Sequence, residues 1–303
     1  MSSGATSRSD PAGVLVVGEA LIDIVDDGAR RDEHVGGSPA NVALGLGRRG
    51  ADVALLTQIA RDERGRRIAE HVTASGVRIC DESWSLERTS TALARIGSDG
   101  AATYAFDIVW DALRAPEGIR PRVVHTGSIA TTLEPGAAAV RDVIAGLGAD
   151  EVTFDPNIRP ALVDDRDVAL AHVDAMMRLA TTVKLSDEDA AWLFPGDDVD
   201  AVLDRILAVG PRLAALTIGA EGAVLATAQD RVPVPPVAVD VVDTIGAGDT
   251  FMATMIHALA SRPAGPLACG DLEAIGRDAV RAAAVTVSRA GADLPWAAEL
   301  ADG

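Results

Sequence analysis

The strongest constraint on how this chain folds is a regular alternation along it, in which short apolar runs rich in Val, Ile and Leu are followed by longer amphipathic ones. Runs at 14–17, 53–57, 123–125, 152–154, 182–185, 213–218 and 223–226 read as strands. Segments at 38–48, 64–73, 135–147, 187–193 and 199–209, and further ones opening at Asp249 and Leu272, read as helices. Strands that alternate with helices in this way predict an α/β fold, a doubly wound and mostly parallel sheet with helices packed against it. At 303 residues the chain can bury one large core or two modest ones, and no repeat interrupts the pattern.

Two segments break the alternation, 24–35 and 90–107. Their turn signals, Asp27-Gly28 and Ser98-Asp99-Gly100, join strand-like pieces, so small antiparallel strands outside the main sheet are expected. Two such insertions would make a lid over the carboxyl ends of the parallel strands, where doubly wound sheets bind ligands. Plain surface hairpins are the alternative. Residues 1–12 are polar and Ser-rich, which predicts a disordered tail before one domain at 13–303.

Lys and Arg total 27 against 45 Asp and Glu, a net charge of -18 that repels nucleic acid and anionic membrane alike. A phosphorylated ligand would therefore need a local positive field from Mg²⁺, arginines or helix N-termini. The two cysteines, Cys80 and Cys269, are far apart and lack CxxC spacing; they are expected to be buried fillers. With no run approaching the ~20 apolar residues of a membrane span, the cytoplasm is the default location. Lys184 is the only lysine and is not embedded in GxxxxGK[ST], which excludes a P-loop.

Gly45-Leu46-Gly47-Arg48-Arg49-Gly50 matches GxGxxG, the basis of a rival reading as a nicotinamide-dependent oxidoreductase. The fingerprint must follow a strand and open a helix, whereas Ser38-Pro39 places an N-cap and first helical residue well before these glycines. Gly50 is better explained as a C-cap. Just upstream, Gly36-Gly37-Ser38-Pro39-Ala40-Asn41 sets a close backbone approach beside a helix start and an amide. Sugar hydroxyls are read by such amides together with carboxylates, and Asp23 is the candidate partner. A capped helix with Asn41 solvated is the plainer alternative.

Near the other end, Asp243-Thr244-Ile245-Gly246-Ala247-Gly248-Asp249 puts a flexible, amide-rich turn directly before a carboxylate and an apolar helical run. Converging N–H groups and the helix dipole make an anion cradle suited to a phosphoryl group, with Asp249 as a base beside it. Ordinary helix capping uses the same residues.

With both motifs in view, the sequence resembles the ribokinase-like (PfkB) sugar kinases, through Gly36 to Asp62 and Asp243 to Ala253. The resemblance implies that Asp249 is the catalytic base and that the amides of Gly246, Ala247 and Gly248 form the anion hole. It implies sugar contacts at Asp23, Gly36, Gly37 and Asn41. Thr217-Ile218-Gly219-Ala220-Glu221-Gly222 is similar to the family's nucleotide loop, which assigns Thr217, Gly219, Glu221 and Gly222 to ATP. Asp243, Ile245 and Gly291 fall where relatives supply oxygens to a monovalent cation such as K⁺. Where the family often carries Asn-x-x-Glu to arrange Mg²⁺ and phosphates, this chain has Ser186 and Asp189. Both keep oxygen ligands for a hard cation, and both also suit a helix start.

Asp155-Pro156-Asn157-Ile158-Arg159-Pro160 resembles the DPNxR segment of fructokinases and ketodeoxygluconate kinases. Arg159 is then a grip for a substrate carboxylate or for phosphate, or else a surface ion pair. The leading expectation is phosphorylation of fructose at its 6-hydroxyl by ATP and Mg²⁺. The alternatives are a ketodeoxygluconate, ribose or nucleoside kinase and, in another class, a non-catalytic sugar-binding regulator. By resemblance, a homodimer would form through the lid.

Overall fold

A computed structural model describes residues 13–97, 102–163 and 165–301. The tail expected at residues 1–12 and the Ser98-Asp99-Gly100 turn lie outside the described residues.

The chain enters through β1 (Val14–Val17), leaves the main sheet for β2 (Leu21–Asp26) and β3 (Arg31–Gly36), and turns into α1 (Ser38–Arg48). Next come β4 (Val53–Leu56), α2 (Glu63–Thr73) and β5 (Arg78–Ile79), then β6 (Thr91–Ile96) and β7 (Ala102–Asp107). The winding resumes with β8 (Val123–Gly127), α3 (Gly136–Leu147), β9 (Glu151–Asp155), α4 (Arg166–Met177), β10 (Thr182–Ser186), α5 (Asp187–Leu193) and α6 (Val199–Val209). It closes with β11 (Leu213–Thr217), β12 (Ala223–Ala226), β13 (Arg231–Val234), α7 (Ala247–Ala260), α8 (Cys269–Val287) and α9 (Ala297–Leu300).

Among the described residues nine strands form one sheet in the order β13-β12-β11-β10-β9-β8-β1-β4-β5, all running the same way except β12, which is antiparallel to both of its neighbours. Its strands are sandwiched: Leu15 and Val17 of β1 pack with α3 and α4 on one face, while Val14 and Val16 pack with α1 and α7 on the other. Continuous apolar runs are what a sheet covered on both faces requires. The expected α/β doubly wound fold is the observed one.

The second sheet, β3-β2-β6-β7, comes from the two segments that broke the alternation. It is mixed rather than antiparallel, since β2 pairs with β6 in parallel. Ile22 and Ile24 turn one face of it onto Ile68 and Val72 of α2, which leaves Leu21 and Asp23 facing the opposite way. Asp62 fastens this arrangement: it caps α2 through Gly65 N–H (2.7 Å) and accepts Thr89 N–H (2.9 Å) just before β6.

Four elements were not expected from the sequence: β5, β13, α4 and the short α9. For α4 the signal was present, because Ala169, Val173, Met176 and Met177 recur at helical spacing and are all buried. Strands β5 and β13 are short pieces at the two sheet edges. The cysteine expectation needs correcting too: Cys269 is exposed at the start of α8, and only Cys80 is partly buried. Burial pushes the Cys80 thiol up to about 12.

Of the glycines of the GxGxxG match, Gly45 and Gly47 allow close packing and Gly50 ends the helix. A Cβ on Gly45 would lie 3.0 Å from Ala253 Cβ and 2.6 Å from Leu294, so α1 and α7 touch along their backbones. Gly50, at φ +79° just past α1, ends that helix in the left-handed region as expected. Gly45→Leu is expected to lower stability by about 1–3 kcal/mol through overpacking, read as a fall in the denaturant midpoint.

Candidate active site

The carboxyl ends of the central strands open into a cavity of about 1050 Å³. The lid supplies Leu21, Asp23, Ala92 and Phe106 to one side of it; the β11–β12 turn supplies Thr217, Gly219 and Gly222 to the other. Strand order explains this division, because β1 and β11 are separated by β8, β9 and β10. The start of α7 lies between.

Helix α7 begins after Gly246, whose φ of +81° is left-handed and whose Cβ position is filled by Ala292 at 2.9 Å. Thr250 N–H bonds back to Gly246 O (2.8 Å), which makes Ala247, Gly248 and Asp249 the first turn. The Ala247 N–H is taken by Thr244 O (3.3 Å). No side chain caps this helix, so the Gly248 and Asp249 N–H groups are open donors at the positive end of its dipole. Of the three amides assigned to the anion hole, Ala247 is thus engaged locally.

Asp249 is 7% exposed. Its Oδ1 accepts Ser38 Oγ–H at 2.6 Å and its Oδ2 accepts Asn41 Nδ2–H at 2.8 Å. Helices α1 and α7 therefore run side by side in the same direction, with both N-termini at the cavity. Burial pushes the Asp249 carboxyl above the usual aspartate range, against the Ser38 and Asn41 hydrogen bonds and the charges of Lys184 and Arg159. Ser38, expected as the N-cap of α1, is not one: Gly37 holds that position, and the Ser38 hydroxyl serves Asp249. Asn41 is not solvated but fixed on the same carboxylate.

A base must be deprotonated, so activity falls as pH drops through its pKa. Ser38→Ala removes a hydrogen bond that favours the charged form, which raises that pKa further. The acid limb of kcat/KM is expected to move to higher pH in this variant, measured as a pH–rate profile.

The paired glycines differ in purpose. A Cβ on Gly36 would fall 1.9 Å from Asp23 Oδ2, whereas Gly37, at φ +105°, clears Glu19 O at 2.6 Å. Asp23 is exposed to the cleft, and the cleft walls, by partly withdrawing it from water, raise its carboxyl against the charges of Arg159 and His34. Arg159 lines the cavity and donates to Asn157 O and Oδ1 (3.3 and 2.6 Å), with no carboxylate partner among the described ion pairs. It is not a surface salt bridge. Asn157 and Ser128 hold left-handed backbone, φ +40° and +55°, on the cavity wall.

Ser186 caps α5 by accepting Asp189 N–H (3.0 Å) and lines the cavity. Asp189 sits beneath the wall, with Oδ1 accepting Ile158 N–H at 2.8 Å. Glu221, assigned to the nucleotide, is exposed and does not line the cavity, while Gly222 does, with a Cβ position filled by Val234 O at 2.2 Å. Asp243, Ile245 and Gly291 are brought together: Asp243 accepts N–H from Ile245 (3.0 Å) and Gly291 (2.8 Å), which hold its carboxyl below the ordinary range.

Three charged residues went unassigned. Glu19 lies on the cavity wall, 4% exposed, accepting Ala130 N–H at 3.1 Å; burial pushes its carboxyl up to about 7. Lys184, 3% exposed, donates to Asp155 Oδ2 at 2.9 Å from the middle of the sheet. Burial pushes Asp155 up to about 6, against the pull of Lys184; for Lys184 itself burial is outweighed by Asp155, Asp189 and Asp249, which hold it above the usual range. A lone lysine inside an apolar strand was the available signal. Among the described residues no group of three or more His, Cys, Asp or Glu stands close enough to hold a metal, and no helix is long and apolar enough to cross a membrane.

Against known proteins, residues 12–299 match the pfkB family carbohydrate kinases. A fructokinase of Rhizobium leguminosarum bv. trifolii is 33% identical over 259 residues, 81% of this chain and 79% of that protein. A Klebsiella pneumoniae fructokinase is 33% identical over 266 residues, 82% and 84% of the two. Among solved structures, a double mutant of Vibrio cholerae O395 fructokinase, with fructose, ADP and potassium ion bound, superposes with a TM-score of 0.80. It is 27% identical and covers 97% of this chain and 98% of its own. This chain belongs to the pfkB family of carbohydrate kinases. Its activity at that level is ATP-dependent phosphorylation of a sugar.

Proposed function

We propose that the chain transfers the γ-phosphoryl group of ATP to the primary 6-hydroxyl of fructose. The observation that carries this reading is the buried Asp249 carboxylate, held on both oxygens by Ser38 and Asn41 beside the open Gly248 N–H. The sugar lies on the lid side with Asp23, Gly37, Asn41 and Arg159, and the nucleotide lies along Thr217, Gly219 and Gly222. Fructokinase relatives at 33% identity favour fructose over other sugars.

Asp249 takes the proton from the sugar hydroxyl as its oxygen bonds to phosphorus, and the bond to the ADP oxygen breaks with its electron pair. Phosphoryl transfer of this kind passes through a loose transition state, so positioning and charge stabilisation carry most of the catalysis. The open amides at the start of α7 meet the charge on the equatorial oxygens. Closing of the lid excludes water, the competing nucleophile.

The Ser186 hydroxyl and the Glu188 carboxylate, on the cavity wall at the start of α5 with Asp189 behind them, suit a hard cation that takes its remaining ligands from phosphates and water. Bound there with ATP, Mg²⁺ would neutralise phosphate charge. Asp243, Ile245 and Gly291 are the monovalent-cation site in this reading, since each Asp243 oxygen keeps a second lone pair.

One observation favours a second reading. Arg159 faces the cavity without a carboxylate partner, which would suit a sugar acid such as ketodeoxygluconate. A coupled ADP-release assay across fructose, ribose, ketodeoxygluconate and nucleosides decides between them. The highest kcat/KM is expected for fructose; a higher value for the sugar acid would transfer the assignment to it, and no turnover with any acceptor would leave a sugar-binding regulator.

A further inference from the structure

We infer that the Lys184 ammonium, held by Asp155 against the start of α7, is a catalytic cation that contacts the phosphoryl group as it crosses from nucleotide to sugar. The inference rests on the kinase reading above and adds a residue to it.

Charge at the cleft makes the case. A nucleotide triphosphate brings about four negative charges to a wall that already carries Glu19, Asp23, Asp187, Glu188 and Asp249. Among the described residues two cations line that wall, Arg159 and Lys184. Arg159 stands with the sugar-side residues and is turned onto Asn157. Lys184 stands in the middle, under the helix start. A Cβ on Gly248 would lie 3.0 Å from its Nζ, so the ammonium occupies the space beside Gly248 at the helix start whose N–H groups are open.

Placement follows from strand periodicity. Val183 and Leu185 point into the core on the α3–α6 side, which turns Lys184 to the opposite face, beneath α7. Phe154 does the same for Asp155 on the neighbouring strand. The ammonium spends one of its three donors on Asp155 Oδ2, and no other protein acceptor takes a hydrogen bond from it among the described residues. A buried ion pair with spare donors is a poor device for stability, because apolar residues of similar volume would serve as well. It is a good device for presenting a desolvated positive charge.

During transfer the sugar hydroxyl proton passes to Asp249, a bond forms between the sugar oxygen and phosphorus, and the bond to ADP breaks with its electrons on the ADP oxygen. Lys184 stays protonated throughout and donates hydrogen bonds to the phosphoryl oxygens, taking the place of water in a site the lid has closed. Asp155 is a positioning residue that fixes the ammonium.

The test uses a charge-balanced pair, Lys184→Met with Asp155→Asn, so that no lone buried charge remains. The double variant is expected to melt close to wild type and to bind ADP and fructose with affinities within about threefold of wild type, while kcat falls about 10²–10³-fold. A kcat within about threefold of wild type, or parallel loss of ADP and fructose binding with kcat, would overturn the inference in favour of a structural ion pair. A second arm needs no substitution. Because Lys184 is the only lysine, ¹³Cε-lysine labelling yields one side-chain resonance. With fructose present, that resonance is expected to shift with a non-hydrolysable ATP analogue beyond any shift caused by ADP; identical spectra would also overturn it. Wild-type protein without phosphate transfer to any sugar would instead defeat the kinase reading itself, a separate result.

Discussion

Asp249→Asn is expected to lower kcat by about 10²–10⁴-fold while fructose binding survives, the loss typical of a positioned general base. The variant is nearly isosteric, and Ser38 and Asn41 still bracket the side chain, so the fold and the sugar pocket keep their shape. What disappears is the acceptor for the hydroxyl proton. The measurement is steady-state ADP release beside calorimetric titration with fructose. Turnover near the wild-type rate would remove Asp249 from the chemistry and leave it as a residue that ties α1 to α7.

Gly248→Val is expected to cost kcat at least about 10²-fold, the scale of losing a single oxyanion-type donor. Backbone angles are not the cause, since Gly248 is not among the glycines of positive φ. The reason is occupancy: a Cβ there meets Lys184 Nζ at 3.0 Å, and branching adds two methyl groups toward the space the phosphoryl must enter. ADP release again reads the loss, and thermal unfolding near the wild-type temperature would show that the helix itself is intact. Unchanged turnover would show that nothing reactive comes to this face of α7.

The main sheet was legible because its strands are apolar on both faces, so a continuous run such as Val14–Val17 is both the folding signal and the buried surface. The lid was legible as an interruption, through segments that stopped alternating with helices; the parallel pairing of β2 with β6 was not, since pairing direction depends on how the chain returns after α2. Asp249, Asn41 and Asp23 stood out because a carboxylate or amide beside glycines is chemically conspicuous. Lys184 and Glu19 did not, because a charged residue next to an apolar strand looks like an exception until its neighbours are known.

By itself, then, the chain's order of residues determined which segments become strands and helices, and where glycine allows main chain to meet a ligand, since both follow from local periodicity and backbone sterics. Tertiary structure alone decided the company each side chain keeps. Residues 208 and 211 positions apart in the chain meet as Asn41, Ser38 and Asp249 because Gly45 lets two helices touch, and Lys184 reaches Gly248 because adjacent strands turn it and Asp155 to the same face. Hydrogen bonding and charge act over a few ångströms of space, a distance that spacing along the chain does not encode.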